Sequence, residues 1–73
     1  MNIVYAAFKS RRDALAYAQA MSRRRVAVKV VGTPSRVGSS CGLSVCFRSS
    51  SLAVAERVLA SGEYGSFLGL YRE

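Results

Sequence analysis

The sequence predicts an α+β fold. Four stretches are rich in β-branched and aromatic residues, and two stretches between them carry apolar residues at helical spacing. Their order is strand, helix, strand, strand, helix, strand, and each element has its own justification.

Asn2 to Phe8 holds Ile, Val, Tyr and Phe and reads as the first strand. Lys9-Ser10 opens a helix. Ser10 suits an N-cap, and Asp13, three residues on, makes a capping box with the shorter acid. Ala14, Leu15, Ala18 and Met21 define its apolar face, which fades at Ser22 and Arg25. Alanine dominates that face, so the helix can sit close to a sheet. Arg23, Arg24 and Arg25 place positive charge at the helix C-terminus, where the macrodipole favours it. Val26 to Val31 is the second strand, with Val26, Val28 and Val30 on one side and Ala27, Lys29 and Val31 on the other. Gly32-Thr33-Pro34 ends it, because proline cannot donate to a ladder.

A Ser/Gly loop runs from Ser35 to Gly42. Leu43 to Arg48 then alternates cleanly: Leu43, Val45 and Phe47 toward a core, Ser44, Cys46 and Arg48 away from it. Ser49, Ser50 and Ser51 form a loop that supplies an N-cap to the second helix, whose stripe is Leu52, Ala55, Val58 and Leu59. Gly62 suits the residue after a helix end. Tyr64 to Tyr71 is the last strand, weakened by Gly65 and Gly69. The order is that of a split βαβ pair. It predicts a ferredoxin-like βαββαβ arrangement, a four-stranded antiparallel sheet with two helices on one face, over residues 1–73 as one domain.

A chain of 73 residues buries only about 60% of the surface its unfolded form exposes. A partner, or a second copy on the open sheet face, is therefore a natural way to cover the remainder. Apolar residues make up 51% of the chain, which excludes disorder. No apolar run reaches the ~18 residues of a membrane span. Ile3 to Phe8 is too short for a signal segment and has no basic residues before it. The expectation is a cytoplasmic protein with reduced thiols, so two cysteines do not make a disulfide framework.

Eleven basic and four acidic residues give a formal charge of +7. Arg23 to Arg25 are the sharpest cluster, joined by Arg11 and Arg12 in the same helix. They read either as a solvated helix face or as a surface for an acidic partner. There is no histidine, which excludes Cys-His and Ser-His-Asp catalysis within the chain. The acidic residues are scattered, so no paired-carboxylate site arises. Two cysteines fall short of the four ligands of structural zinc, and no P-loop lysine follows the glycines. No metal and no cofactor is expected.

Cys41 stands apart. It follows Ser39 and Ser40 and precedes Gly42 in a polar loop, where burial as a small hydrophobe is hard to arrange. It is either an incidental turn residue or a thiol presented for chemistry. An exposed thiolate can hold sulfur or selenium as a persulfide or selenopersulfide. Arg36 would lower its pKa, and Gly38 and Gly42 would let backbone amides turn toward an anionic sulfur. Cys46, between Val45 and Phe47 in a strand, reads as structural.

Pro34, then Ser39-Ser40-Cys41-Gly42-Leu43, then a strand, a helix and a short final strand, resembles the Se/S (selenium/sulfur) carrier protein-like family of small domains. The strand ending at Phe8, the helix entered at Ala14-Leu15, Val26 to Pro34 and the closing Gly69-Leu70-Tyr71 fit as well. The resemblance implies a carrier rather than an enzyme, with Cys41 as carrier thiol framed by Ser39, Ser40 and Gly42. Its partners would be a sulfur- or selenium-donating enzyme and an acceptor protein.

The main alternative is a basic ferredoxin-like module that binds RNA by stacking bases on sheet aromatics, with Tyr5, Phe47, Phe67 and Tyr71 as the available rings. Leu43 to Arg48 has one aromatic and no Gly-Phe pair, which disfavours nucleic acid. A protein-interaction module that dimerises through the open sheet face is a third reading. The face occupied by the rings discriminates between a core and a stacking platform.

Overall fold

A computed structural model describes residues 2–33 and 42–72. It contains β1 (Ile3–Phe8), α1 (Arg11–Arg23), β2 (Lys29–Gly32), β3 (Leu43–Arg48), a 3-10 turn (Ser49–Ser51), α2 (Leu52–Ser61) and β4 (Phe67–Arg72). The strands form one antiparallel sheet in the order β2-β3-β1-β4. This is the ferredoxin-like α+β arrangement that the element order predicts.

The alternation along β1 and β3 decides which face is covered. Val4 pairs with Phe47, Ala6 with Val45 and Phe8 with Leu43. Those side chains meet Ala14, Tyr17, Ala18 and Met21 of α1 and Ala55 and Val58 of α2 in one buried cluster. Leu15, expected on this face, is 50% exposed. The inward positions are 14, 17, 18 and 21, the i, i+3, i+4, i+7 spacing of an amphipathic helix. Tyr17 is fully buried, and its hydroxyl donates to the Ala55 carbonyl at 3.0 Å, joining the two helices. Burial, and secondarily Tyr64, raise the Tyr17 pKa above the ordinary tyrosine range.

The start of α1 departs from a simple capping box. Ser10 Oγ accepts from the Asp13 N–H at 3.4 Å, as expected of an N-cap. The Asp13 carboxylate, however, turns to Ser66, accepting from its hydroxyl at 2.6 Å and its N–H at 3.1 Å. Ser66 Oγ also accepts from the Ser10 N–H, and the Ser66 carbonyl accepts from the Lys9 N–H. One serine before β4 thus ties the turn after β1 to the far end of the chain.

The end of α1 explains why β2 is shorter than Val26 to Val31. The Val26 N–H donates to the Met21 carbonyl and the Arg25 N–H to the Ser22 carbonyl. That is a Schellman cap, with Arg25 at φ 62 where glycine is usual. The cap holds Val26 against the core, and pairing with β3 begins only at Lys29. Gly32 is the last residue of β2 rather than its breaker. The residue expected in that role after α2, Gly62, is extended at φ -109 and ψ 170. A Cβ there would run into the Tyr64 ring, so close approach is the reason for glycine. Tyr64 itself precedes β4 and packs on Phe8 and Tyr17. Ser51 occupies the N-cap of α2 without a capping side-chain bond. The serine run makes a 3-10 turn instead.

Two stability measurements follow. Arg25→Gly removes a left-handed non-glycine residue and is expected to stabilise the domain by about 1 kcal/mol in urea unfolding. Ser66 holds the Asp13 carboxyl below its ordinary range, chiefly through its hydroxyl and then its N–H; burial opposes the shift and Arg12 assists it. The stabilisation from this group is present above the ordinary carboxylate range and is lost as pH falls through the depressed value. Asp13→Ala should therefore be less stable than the wild type at neutral pH, and the two should converge in acid.

Candidate functional site

The end of the sheet where β1 stops is built to hold the ends of the Ser/Gly loop. The Thr33 N–H donates to the Gly42 carbonyl at 3.0 Å, closing the base of the eight-residue segment 34–41. Thr33 is buried, and its hydroxyl lies 2.8 Å from that of Ser44. Ser44 is fully buried, and its oxygen lies 3.1 Å from the Tyr71 hydroxyl. The three hydroxyls form a chain from the loop base just after β2, through β3, to β4. Ser44 and Tyr71 meet across the intervening β1, where Ala7 pairs with both Ser44 and Gly69. A small residue there leaves room for the tyrosine to reach over. Tyr71 is steadied by Tyr5, stacked on it at 4.9 Å between ring centroids.

Gly42 is a constraint of a different kind. A Cβ at this position would lie 2.5 Å from the Phe8 carbonyl oxygen and 3.2 Å from Thr33 Oγ1. No side chain fits, so the glycine lets the loop base close against β1. Its special φ freedom is not used, since the positive-φ glycine among the described residues is Gly69. Cys41, Arg36, Gly38, Ser39 and Ser40 lie outside the described residues; of the expected framing residues, Gly42 alone is within them. Thr33 and Ser44 read in the sequence as ordinary turn and strand residues, and Tyr71 stood out only as a candidate stacking ring, not as a hydroxyl partner. The one hint is a serine at an alternating position otherwise flanked by apolar residues.

Cys46 lies on β3 opposite Tyr5 and Lys29, half-buried, on the sheet face away from the helices. The aromatic rings divide between the faces. Phe47 is buried in the core and Phe67 packs against it, with its ring 5.4 Å from that of Phe8. Tyr5 and Tyr71 remain on the other face. Two of the four rings that an RNA platform would use are therefore under the helices. The arginines expected to act together are also split. Arg11 and Arg23 sit at opposite ends of α1, about 18 Å apart at the usual helical rise.

Among the described residues, no group of three or more His, Cys, Asp or Glu could hold a metal ion, and no helix is long and apolar enough to cross a membrane.

Residues 4–72 match the family described as "Putative Se/S carrier protein-like". The chain belongs to this family. The match covers both helices, all but the first residue of the sheet, and the loop with its cysteine. No curated protein and no solved structure matches the chain.

The anchoring of the loop base is open to measurement. Gly42→Ala is expected to destabilise the domain by about 1–3 kcal/mol, as overpacking against backbone does. The control Gly65→Ala, where a Cβ meets nothing within 4 Å, should have a far smaller effect in the same urea titration.

Proposed function

We propose that this protein carries sulfur or selenium on the Cys41 thiol and passes it between partner proteins, without a turnover chemistry of its own. The observation that carries this reading is the Se/S carrier family match across 4–72, with Cys41 inside it. The anchored loop base supports it. Cys41 is bonded to Gly42, which is buried and held between the Phe8 backbone and Thr33. A fixed anchor directly after the carrier cysteine in sequence suits transfer between proteins.

The transfer balances without an external oxidant. The Cys41 thiolate attacks the outer sulfur of a donor persulfide. A bond forms between Sγ and that sulfur as the donor S–S bond breaks, and the donor cysteine leaves as thiolate. An acceptor thiolate then attacks the outer sulfur of the Cys41 persulfide, and Cys41 leaves as thiolate. Selenium follows the same path. Each step needs a deprotonated nucleophile and a good leaving thiolate, so a lowered Cys41 pKa serves both. Arg36, five residues earlier, supplies the positive charge for this. Ser39, Ser40, Gly38 and Gly42 frame the thiol. Lys9, Arg11 and Arg12 are exposed at the same end of the domain and suit an acidic surface on the donor or acceptor.

Incubation with a cysteine desulfurase and cysteine, read by intact mass, should add sulfur to the wild type and to Cys46→Ser but not to Cys41→Ser. Loading of Cys46 instead, or of neither cysteine, overturns the proposal. In the same protein, the pH midpoint of Cys41 alkylation should lie below the ordinary thiol value of about 8.5 and move upward in Arg36→Ala. An unchanged midpoint would remove Arg36 from the site.

A further inference from the structure

At the other end of the sheet, β2 and β3 part company. Their pairing stops at Lys29↔Cys46, but β3 continues to Arg48, paired there with Ile3 of β1. Residues 26–28 run on without pairing to β3, with Val26 held instead by the cap of α1. The gap is a cavity of about 490 Å³. Its apolar wall is Ile3, Val28 and Phe47, and Lys29 and Arg48 stand at it as exposed cations. A second hollow of about 340 Å³ shares Arg48 and is otherwise lined by the polar residues Asn2, Ser49 and Ser50.

None of the residues lining either hollow is acidic. The first turn of α2 holds no acidic residue, and Ser51, which lines the larger hollow, makes no capping bond. Arg23 to Arg25 add exposed positive charge at the same end of the domain. An apolar compartment of this size falls within the range of small-molecule sites, which pair a hydrophobic lining with a few placed polar groups. The residues of the smaller hollow carry a guanidinium, two hydroxyls and an amide, more donors than a carboxylate uses. Arg48 lines both hollows and can pair directly with a phosphate, and Lys29, which lines only the larger hollow, adds a second positive charge to the site.

We propose that this paired cavity binds a small phosphorylated organic molecule. Its apolar or aromatic body lies in the gap between β2 and β3. Its phosphate lies in the polar hollow, with Arg48 between them and Lys29 at the rim. The site is separate from the loop end and does not depend on the carrier reading.

The probe is 1-naphthyl phosphate, titrated into the 15N-labelled full chain. Saturable amide shifts are expected at Asn2, Val28, Lys29 and Phe47 to Ser51, with Lys9 and Arg11 unmoved. Inorganic phosphate, 1-naphthol and 1-naphthoate should each bind about tenfold more weakly or worse, since each lacks one part of the ligand. Arg48→Glu and Lys29→Glu should each weaken binding about tenfold. Arg57→Glu makes the same charge change on an exposed position of α2 and should leave affinity within about twofold. Absence of saturable shifts at these residues, equal binding of 1-naphthoate, or equal weakening by Arg57→Glu overturns the proposal. The first outcome removes the site, the second the phosphate, and the third leaves only diffuse charge.

Discussion

The Phe8 position is where the parts of this domain are joined. Its ring lies within 5.2 to 5.7 Å, centroid to centroid, of Tyr17, Tyr64 and Phe67. Helix α1, the segment after α2 and strand β4 therefore converge on one side chain. Aromatic pairs of this geometry add to the stabilisation that their buried area provides. The Phe8 backbone meanwhile pairs with Leu43 and Phe67, and its carbonyl faces Gly42 so closely that no side chain fits there. The packing of the core and the position of the loop base are thus set by the same residue. A change in how Phe8 seats against α1 would be felt at the root of the loop.

Around that point the chain uses polar groups economically. Ser66 satisfies the turn into α1 and the carboxylate of Asp13, 53 residues away in sequence. Ser44 bridges Thr33 and Tyr71 under cover. No buried side-chain nitrogen or oxygen among the described residues is left without a partner. In a domain this small, a satisfied buried polar network gives the packing direction as well as strength, since each hydroxyl fits only one register of the strands.

The legibility of this structure in its sequence follows the range of the interaction concerned. Leu43, Val45 and Phe47 declared their face through local alternation, and the element order was enough for the ferredoxin-like topology. Ser10 announced the start of α1. The inward face of that helix was also written in the chain, as Ala14, Tyr17, Ala18 and Met21. Hydropathy favoured Leu15 over Tyr17, because a tyrosine hides its apolar body behind a hydroxyl until its partner, the Ala55 carbonyl, is known. The β-branched run from Val26 promised a longer strand, but the cap formed by Met21 and Ser22 intervenes. The composition of the run carries no trace of it, because arginine stands where glycine would have marked the turn. Gly42 stood out, yet its reason is the Phe8 carbonyl, which comes into view only with the pairing of β1 and β3. The hydroxyl chain of Thr33, Ser44 and Tyr71 depends on the strands being in register, so the sequence offered only the serine between apolar neighbours and named Tyr71 for its ring alone.

Strand β4 forms one border of the sheet, and it carries Leu68 and Leu70 exposed. An unbroken apolar border is a template on which other chains can extend a sheet, the usual route to aggregation. Here the border is irregular: Gly69 sits at φ 144 between the two leucines, and the register with β1 shifts between Ala7 and Phe8. A docking strand could not follow both features and keep its hydrogen bonds in step. The same irregularity that lets β4 wrap the Phe8 cluster thus serves solubility, a property expressed between molecules rather than within one.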